Sequence, residues 1–120
     1  IEFMAYAFTS DPLAEAIRAR HEEGISVQGI MDDGGINSNV GSEYDAFRQA
    51  GLDVRRDGND GGLLHHKVII LDGEIVIFGS YNFTNSAETR NDENVIVLYD
   101  AFLAGQFEAE FERNFAQAAE

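Results

Sequence analysis

The run "KVIILDGEIVIF", residues 67–78, most narrows what this chain can fold into. Two apolar, Val- and Ile-rich stretches meet at Asp72 and Gly73, a residue pair that accepts the backbone of a tight turn, so they read as an antiparallel β-hairpin. The hairpin is preceded by segments that alternate between strand and helix. "AYAFTSDPLAEAIRARHEEG" reads as a strand and then a helix opened by Asp11 as N-cap, with Pro12 at the first helical position and Gly24 past the end. Leu13, Ile17 and the alanines form its buried stripe. "ISVQGIMDD" reads as a second strand and "GGINSNVG" as a flexible loop. "SEYDAFRQAG" reads as a short helix with Ser42 as N-cap, Asp45 in the capping-box position and Gly51 beyond it, and "LDVRRD" as a brief strand. After the hairpin come a last strand, "NVIVLYD", and an amphipathic helix from Asp100 with Leu103, Phe107, Phe111 and Phe115 at four-residue steps. Strands interleaved with helices and then a hairpin imply an α/β fold, a mixed β-sheet flanked by α-helices.

Composition sets limits on this picture. The 120 residues suffice for one compact domain, 1–120, and 44% apolar residues with nine Phe and four Tyr supply a core. No apolar run approaches the roughly 20 residues that cross a bilayer. With no cysteine there is neither a disulfide framework nor a thiolate metal site. The opening "IEFMAYAF" has no basic stretch and no cleavage signature, so no secretory signal is read and a cytoplasmic location is favoured. Ile1, Glu2 and Phe3 have a second reading as a cloning remnant ahead of Met4, which would make the chain a trimmed domain. The net charge of -14 predicts repulsion from nucleic acid and anionic membranes. It also suits a protein that stays soluble at high salt, where the Debye length shrinks to about 3 Å at 1 M.

Against that acidity stands a single lysine, Lys67, beside seven arginines. Strand side chains alternate, so His65, Lys67, Ile69 and Leu71 point one way while His66, Val68 and Ile70 point the other. An imidazole and an ammonium at i and i+2 are thus neighbours. The pair suits attack on a phosphodiester, with neutral imidazole as nucleophile and a fixed cation on the non-bridging oxygens. The two adjacent histidines are separated by the pleat and are poorly placed to chelate one metal.

His65, Lys67 and Asp72, followed by Gly79, Ser80 and Asn82 in "GSYNFT" and by Glu93 in "RNDENV", resemble the phospholipase D superfamily. Its signature is H-x-K-x4-D, then a G-S-x-N segment, then a downstream glutamate. "AYAFTSDPLAEAI" is similar to the family's first strand and helix. The resemblance implies a phosphodiesterase that needs no metal and no cofactor. Family enzymes use two copies of the motif at one site; this chain has one, like the small bacterial endonucleases that pair two subunits across a two-fold axis. The resemblance then implies that His65 forms a phosphohistidine and that its counterpart in the second subunit protonates the leaving oxygen. By the same resemblance Lys67, Ser80 and Asn82 are expected to hold the phosphoryl oxygens, and Asp72 and Glu93 to position, Glu93 by fixing an imidazole in one tautomer.

Each residue also has a plain structural reading. His65 and His66 could be ordinary strand histidines, Lys67 an edge charge, Asp72 a turn residue, and Asn82-Phe83-Thr84 a glycosylation sequon. "DGNDGG" hints at a calcium loop, but Gly61 takes a ligand place and Val68 the place of the closing glutamate, so a mobile turn is expected. His21 is expected on the polar, solvated side of the first helix.

Three functions remain. The first is a nuclease acting on DNA or RNA as a homodimer. The second is a phospholipid hydrolase or transferase, which the same chemistry permits, although no amphipathic anchor is visible and an acidic surface disfavours anionic lipid. The third is a binding or dimerisation module of a larger protein, against which the intact His65, Lys67, Asn82 and Glu93 argue.

Overall fold

The computed structural model describes residues 1–59 and 61–118. Eleven elements follow in chain order: β1 (Glu2–Ala5), α1 (Asp11–Glu22), β2 (Gln28–Met31), α2 (Asp33–Ser38), α3 (Tyr44–Gln49), β3 (Asp53–Arg56), β4 (Lys67–Leu71), β5 (Ile75–Gly79), α4 (Asn85–Thr89), β6 (Val95–Tyr99) and α5 (Ala101–Gln117). The strands form one mixed sheet in the order β3-β2-β1-β4-β5-β6. β1, β2 and β3 run parallel, because helices carry the chain back between them, while β4 joins β1 antiparallel, β5 joins β4 as a hairpin, and β6 joins β5 antiparallel after α4. The α/β reading therefore holds.

Alternation along the strands sends side chains to two separate cores. Phe3, Ala5, Met31, Val54 and Ile69 pack with Ala14 and Ile17 of α1 and Tyr44 and Phe47 of α3. Met4, Ile30, Val68, Ile70 and Val76 pack instead against Phe111 of α5. Aromatic rings knit the first core: Phe3 lies 5.4 Å from both Phe8 and Phe47, and Phe8 lies 5.1 Å from Phe83. Such pairs add about 0.5–1.5 kcal/mol each beyond their area. Ile1 to Phe3 are thus part of the fold, with Phe3 wholly buried.

The hairpin forms as its sequence dictates. Asp72 and Gly73 both take positive φ, 56° and 64°, and the Glu74 N–H donates to the Leu71 carbonyl at 3.0 Å. The C-terminal helix also forms, with Asp100 accepting from the Leu103 N–H at 3.0 Å. At the far edge, β6 leaves Val95, Ile96, Val97 and Tyr99 exposed.

Several local expectations need correction. The N-cap of α1 is Ser10, which accepts from the Leu13 N–H, and Asp11 is already helical. The stretch read as a loop contains α2, capped by Asp32 accepting from the Gly35 N–H at 2.8 Å; the cap offsets the poor propensity of its paired glycines. Helix α3 starts later than expected, at Tyr44, with Glu43 at its N-cap position and no side-chain cap bond; the Ser42 hydroxyl accepts from the Tyr44 N–H at 3.4 Å. Helix α4, capped by Thr84, has no counterpart in the sequence reading. His21 is half-buried, with Nδ1 shielded from solvent and without a partner, and is not a solvated side chain. The turn expected at "DGNDGG" includes Asp60, which lies outside the described residues.

Candidate active site

The antiparallel register of β1 and β4 pairs Ala5 with Lys67 and continues one step past the strand ends, where the Tyr6 N–H donates to the His66 carbonyl at 3.0 Å. His65 and His66 therefore lie in an extended lead-in rather than in β4 itself, yet they keep the alternation. His66 turns toward α5, where Nε2 lies 3.1 Å from Glu110. His65 is exposed on the other side, with Nδ1 3.2 Å from the Lys67 ammonium. The same ammonium donates to the His65 carbonyl at 2.9 Å. Burial lowers the Lys67 pKa, because a charge loses hydration there, and the Glu93 carboxylate opposes that shift.

The G-S-x-N segment stands directly behind. Gly79 takes φ 157° where β5 runs against the start of β6, and a Cβ there would overlap the Asn94 carbonyl, so this close approach requires glycine. It sets Ser80, whose hydroxyl donates to Glu93 Oε1 at 2.6 Å and accepts from the Asn94 N–H at 3.1 Å. The second Glu93 oxygen accepts from the Asn91 amide at 3.2 Å. Asn82 is half-buried and its Oδ1 is shielded without a partner. The structure thus gathers His65 with Lys67 and Ser80 with Glu93, the two pairs being linked by the field of Glu93 at Lys67. Within this chain Glu93 is bonded to Ser80 and Asn91, not to an imidazole.

Asp72 is placed elsewhere. It sits in the hairpin turn at the far end of β4, five residues beyond Lys67, roughly 17 Å along an extended strand. Any action on the histidine from there would be indirect, through the hairpin and its register.

Two cavities open beside the motif. A groove of ≈ 880 Å³ runs from Lys67 over Ile69, Ile77 and Phe83 to Pro12 and Leu13, and is largely apolar. A second, polar one of ≈ 450 Å³ is lined by His65, His66, Asp57, Asn59, Glu110 and Arg113. Arg113 binds Glu110 at 2.8 and 2.9 Å and, as the largest influence, holds its carboxyl down at about 2, with help from His66 and Asn114.

Sequence reasoning missed three contributors. Asp32, only 2% exposed, caps α2 with one oxygen and accepts from the Leu64 N–H with the other at 2.9 Å, pinning the residue before His65. Glu110 holds His66. The ring of Tyr6 lies 4.8 Å from the His65 ring and 5.4 Å from Lys67 Nζ. Asp32 carries the ordinary sequence signal of an N-cap; the other two carry none, because their contacts span 44 and about 60 residues of chain.

An exposed imidazole beside an ammonium is an arrangement chemically able to receive a phosphoryl group, since a cation can hold an oxygen while an imidazole faces phosphorus. The chain belongs to the phospholipase D superfamily, since the family model described as "Cardiolipin synthase, PLD-like domain" matches residues 1–115. It is 35% identical to a mitochondrial cardiolipin hydrolase of Chlamydomonas reinhardtii and 38% identical to that of Mus musculus, each over 94% of this chain and 50% of the relative. The chain therefore spans about half the length of these relatives. Among solved structures it matches the phospholipase D family member Nuc from Salmonella typhimurium, with a TM-score of 0.89 and 33% identity over 97% of this chain and 77% of that one. No helix among the described residues is long and apolar enough to cross a membrane.

Proposed function

We propose that this protein is a metal-independent phosphodiesterase, an endonuclease cleaving DNA or RNA through a phosphohistidine at a site shared by two subunits. The observation that carries the reading is the contact between Lys67 Nζ and His65 Nδ1 at an exposed strand end. The ammonium donates to Nδ1, so the neutral ring carries its proton on Nε2 and its lone pair is capped. An arriving phosphodiester draws the ammonium onto its non-bridging oxygens, and the imidazole is released as a nucleophile only when substrate is present. A nitrogen of His65 then bonds to phosphorus as the P–O bond to the leaving alcohol breaks, and the second subunit's histidine gives the leaving oxygen a proton. Water, losing a proton to that histidine, attacks phosphorus and breaks the N–P bond. The Asn82 amide adds a donor to the phosphoryl oxygens, and Ser80 adds another once its hydroxyl turns from Glu93 to the substrate.

The similarity to Nuc and the resemblance to single-motif endonucleases support nucleic acid as substrate. A phospholipid substrate is the second reading, favoured by the cardiolipin hydrolase relatives and by the apolar groove that reaches Lys67. Purified protein offered single- and double-stranded nucleic acid and cardiolipin vesicles, each with EDTA, separates the readings. Cleavage of nucleic acid in EDTA supports the first and hydrolysis of vesicles alone the second. Activity restored only by added divalent metal overturns the metal-free mechanism. Absence of both activities leaves a binding module. Sedimentation over a salt series tests the shared site, since screening between two protomers of charge -14 favours association as salt rises. A fully active monomer would refute it.

A further inference from the structure

We infer that Tyr6 is a positioning residue for the catalytic pair, and that helix α2 holds it in place through Gly35. The inference rests on the phosphodiesterase reading of His65 and Lys67. Tyr6 follows the last residue of β1, and its ring makes two contacts at once: the His65 ring at 4.8 Å, tilted by 56°, and Lys67 Nζ at 5.4 Å. The first limits rotation of an otherwise exposed imidazole. The second places an ammonium against the ring's negative face, which favours a charge that burial disfavours. Neither contact uses the phenol hydroxyl, so the ring alone carries the role.

Its backbone is fixed from two sides. The Tyr6 N–H donates to the His66 carbonyl, tying it to the strand that presents His65. On the other side α2 presses against the Tyr6 carbonyl so closely that a Cβ on Gly35 would overlap that oxygen. The approach is fastened by Asp32, whose N–H donates to the Ala5 carbonyl at 3.0 Å and whose carboxylate caps α2 and grips Leu64. Of the paired glycines that made this stretch look like a loop, Gly35 has a packing purpose, since only a residue without a side chain lets the helix reach Tyr6 here.

The test compares Tyr6→Phe, Tyr6→Leu and Gly35→Ala by turnover, by thermal melting, and by long-range 1H–15N spectra of substrate-free protein, which report the ring nitrogen that carries the proton in His65. Tyr6→Phe is expected within about threefold of wild type with one tautomer. Tyr6→Leu is expected to lose about 10- to 100-fold in kcat with KM within about threefold, the cost of misplacing reacting groups by an ångström or less, and to show a mixture of tautomers. Gly35→Ala is expected to shift the same way with every site side chain intact. Tyr6→Leu with wild-type kcat, or with a single tautomer while folded, overturns the proposal; Tyr6→Phe as impaired as Tyr6→Leu overturns the ring's role; Gly35→Ala with wild-type kcat and tautomer overturns that of α2. If the wild type cleaves no phosphodiester, the functional reading fails, and the tautomer comparison alone decides the role of Tyr6.

Discussion

His65 and His66 are adjacent in the chain and sit in opposite chemical surroundings. On the α5 side, His66 meets a carboxylate already gripped by Arg113 and Asn114, a network in which polar groups are paired with polar groups. His65 instead lies against the Lys67 ammonium and the Tyr6 ring and remains exposed, bordering the polar cavity without a carboxylate bonded to its ring among the described residues. In this chain the carboxylate-paired His66 is held in a polar network, whereas the ammonium on His65 can be drawn off by an anion. The sheet makes the distinction, because one step along an extended backbone exchanges one face for the other.

The largest test of that contrast is substitution at each histidine. His65→Ala is expected to lower kcat by about 10³-fold or more, whereas His66→Ala keeps most of it, measured on the best phosphodiester with folding checked by circular dichroism. Equal losses would erase the difference between the faces. Next in size is the cation: Lys67→Met should cost about 10²- to 10³-fold in kcat, the usual range for removing one donor to a developing oxyanion. Lys67→Arg should recover little of it, because a planar guanidinium cannot stand at Nδ1 as an ammonium does.

Smaller effects sharpen the same contrast through pH. On the α5 side, the Glu110 carboxyl is held at about 2 against an ordinary 4.5, first by Arg113. A depressed folded-state pKa gives stability that is present above pH 4.5 and lost as pH falls toward 2. Melting curves of wild type and Glu110→Gln should therefore converge over that window. On the α1 side the sign reverses. Burial, with Asp11 close by, raises Glu43 to about 7, so its neutral form is favoured and stability falls as pH rises from 4.5 through 7. Glu43→Gln should flatten part of that decline in Tm. Glu2, which burial and Glu108 of α5 also raise to about 7, and Asp57, which burial raises, act in the same sense.

Most of the scaffold was legible because its signals are local. The Asp72-Gly73 turn, the four-residue spacing of Leu103, Phe107, Phe111 and Phe115, and the alternation that parts His65 from His66 are each decided within a few residues. Helices α2 and α4 were not legible, since short glycine- or asparagine-rich segments lack apolar periodicity and become helical through a cap and a packing contact. At the site, His65 and Lys67 could be paired from a two-residue offset. Ser80 and Glu93, 13 residues apart, were associated by family resemblance rather than by spacing.

By itself the sequence determined which side chains share a strand face, where the hairpin turns and which residues could carry phosphoryl chemistry, since backbone geometry repeats identically wherever such a segment is placed. Tertiary structure alone decided that Glu93 bonds Ser80, that Glu110 takes His66, and that Tyr6 lies against His65 and Lys67. These contacts join segments distant in the chain, and their distances follow from how sheet and helices pack, a property no local run of residues contains.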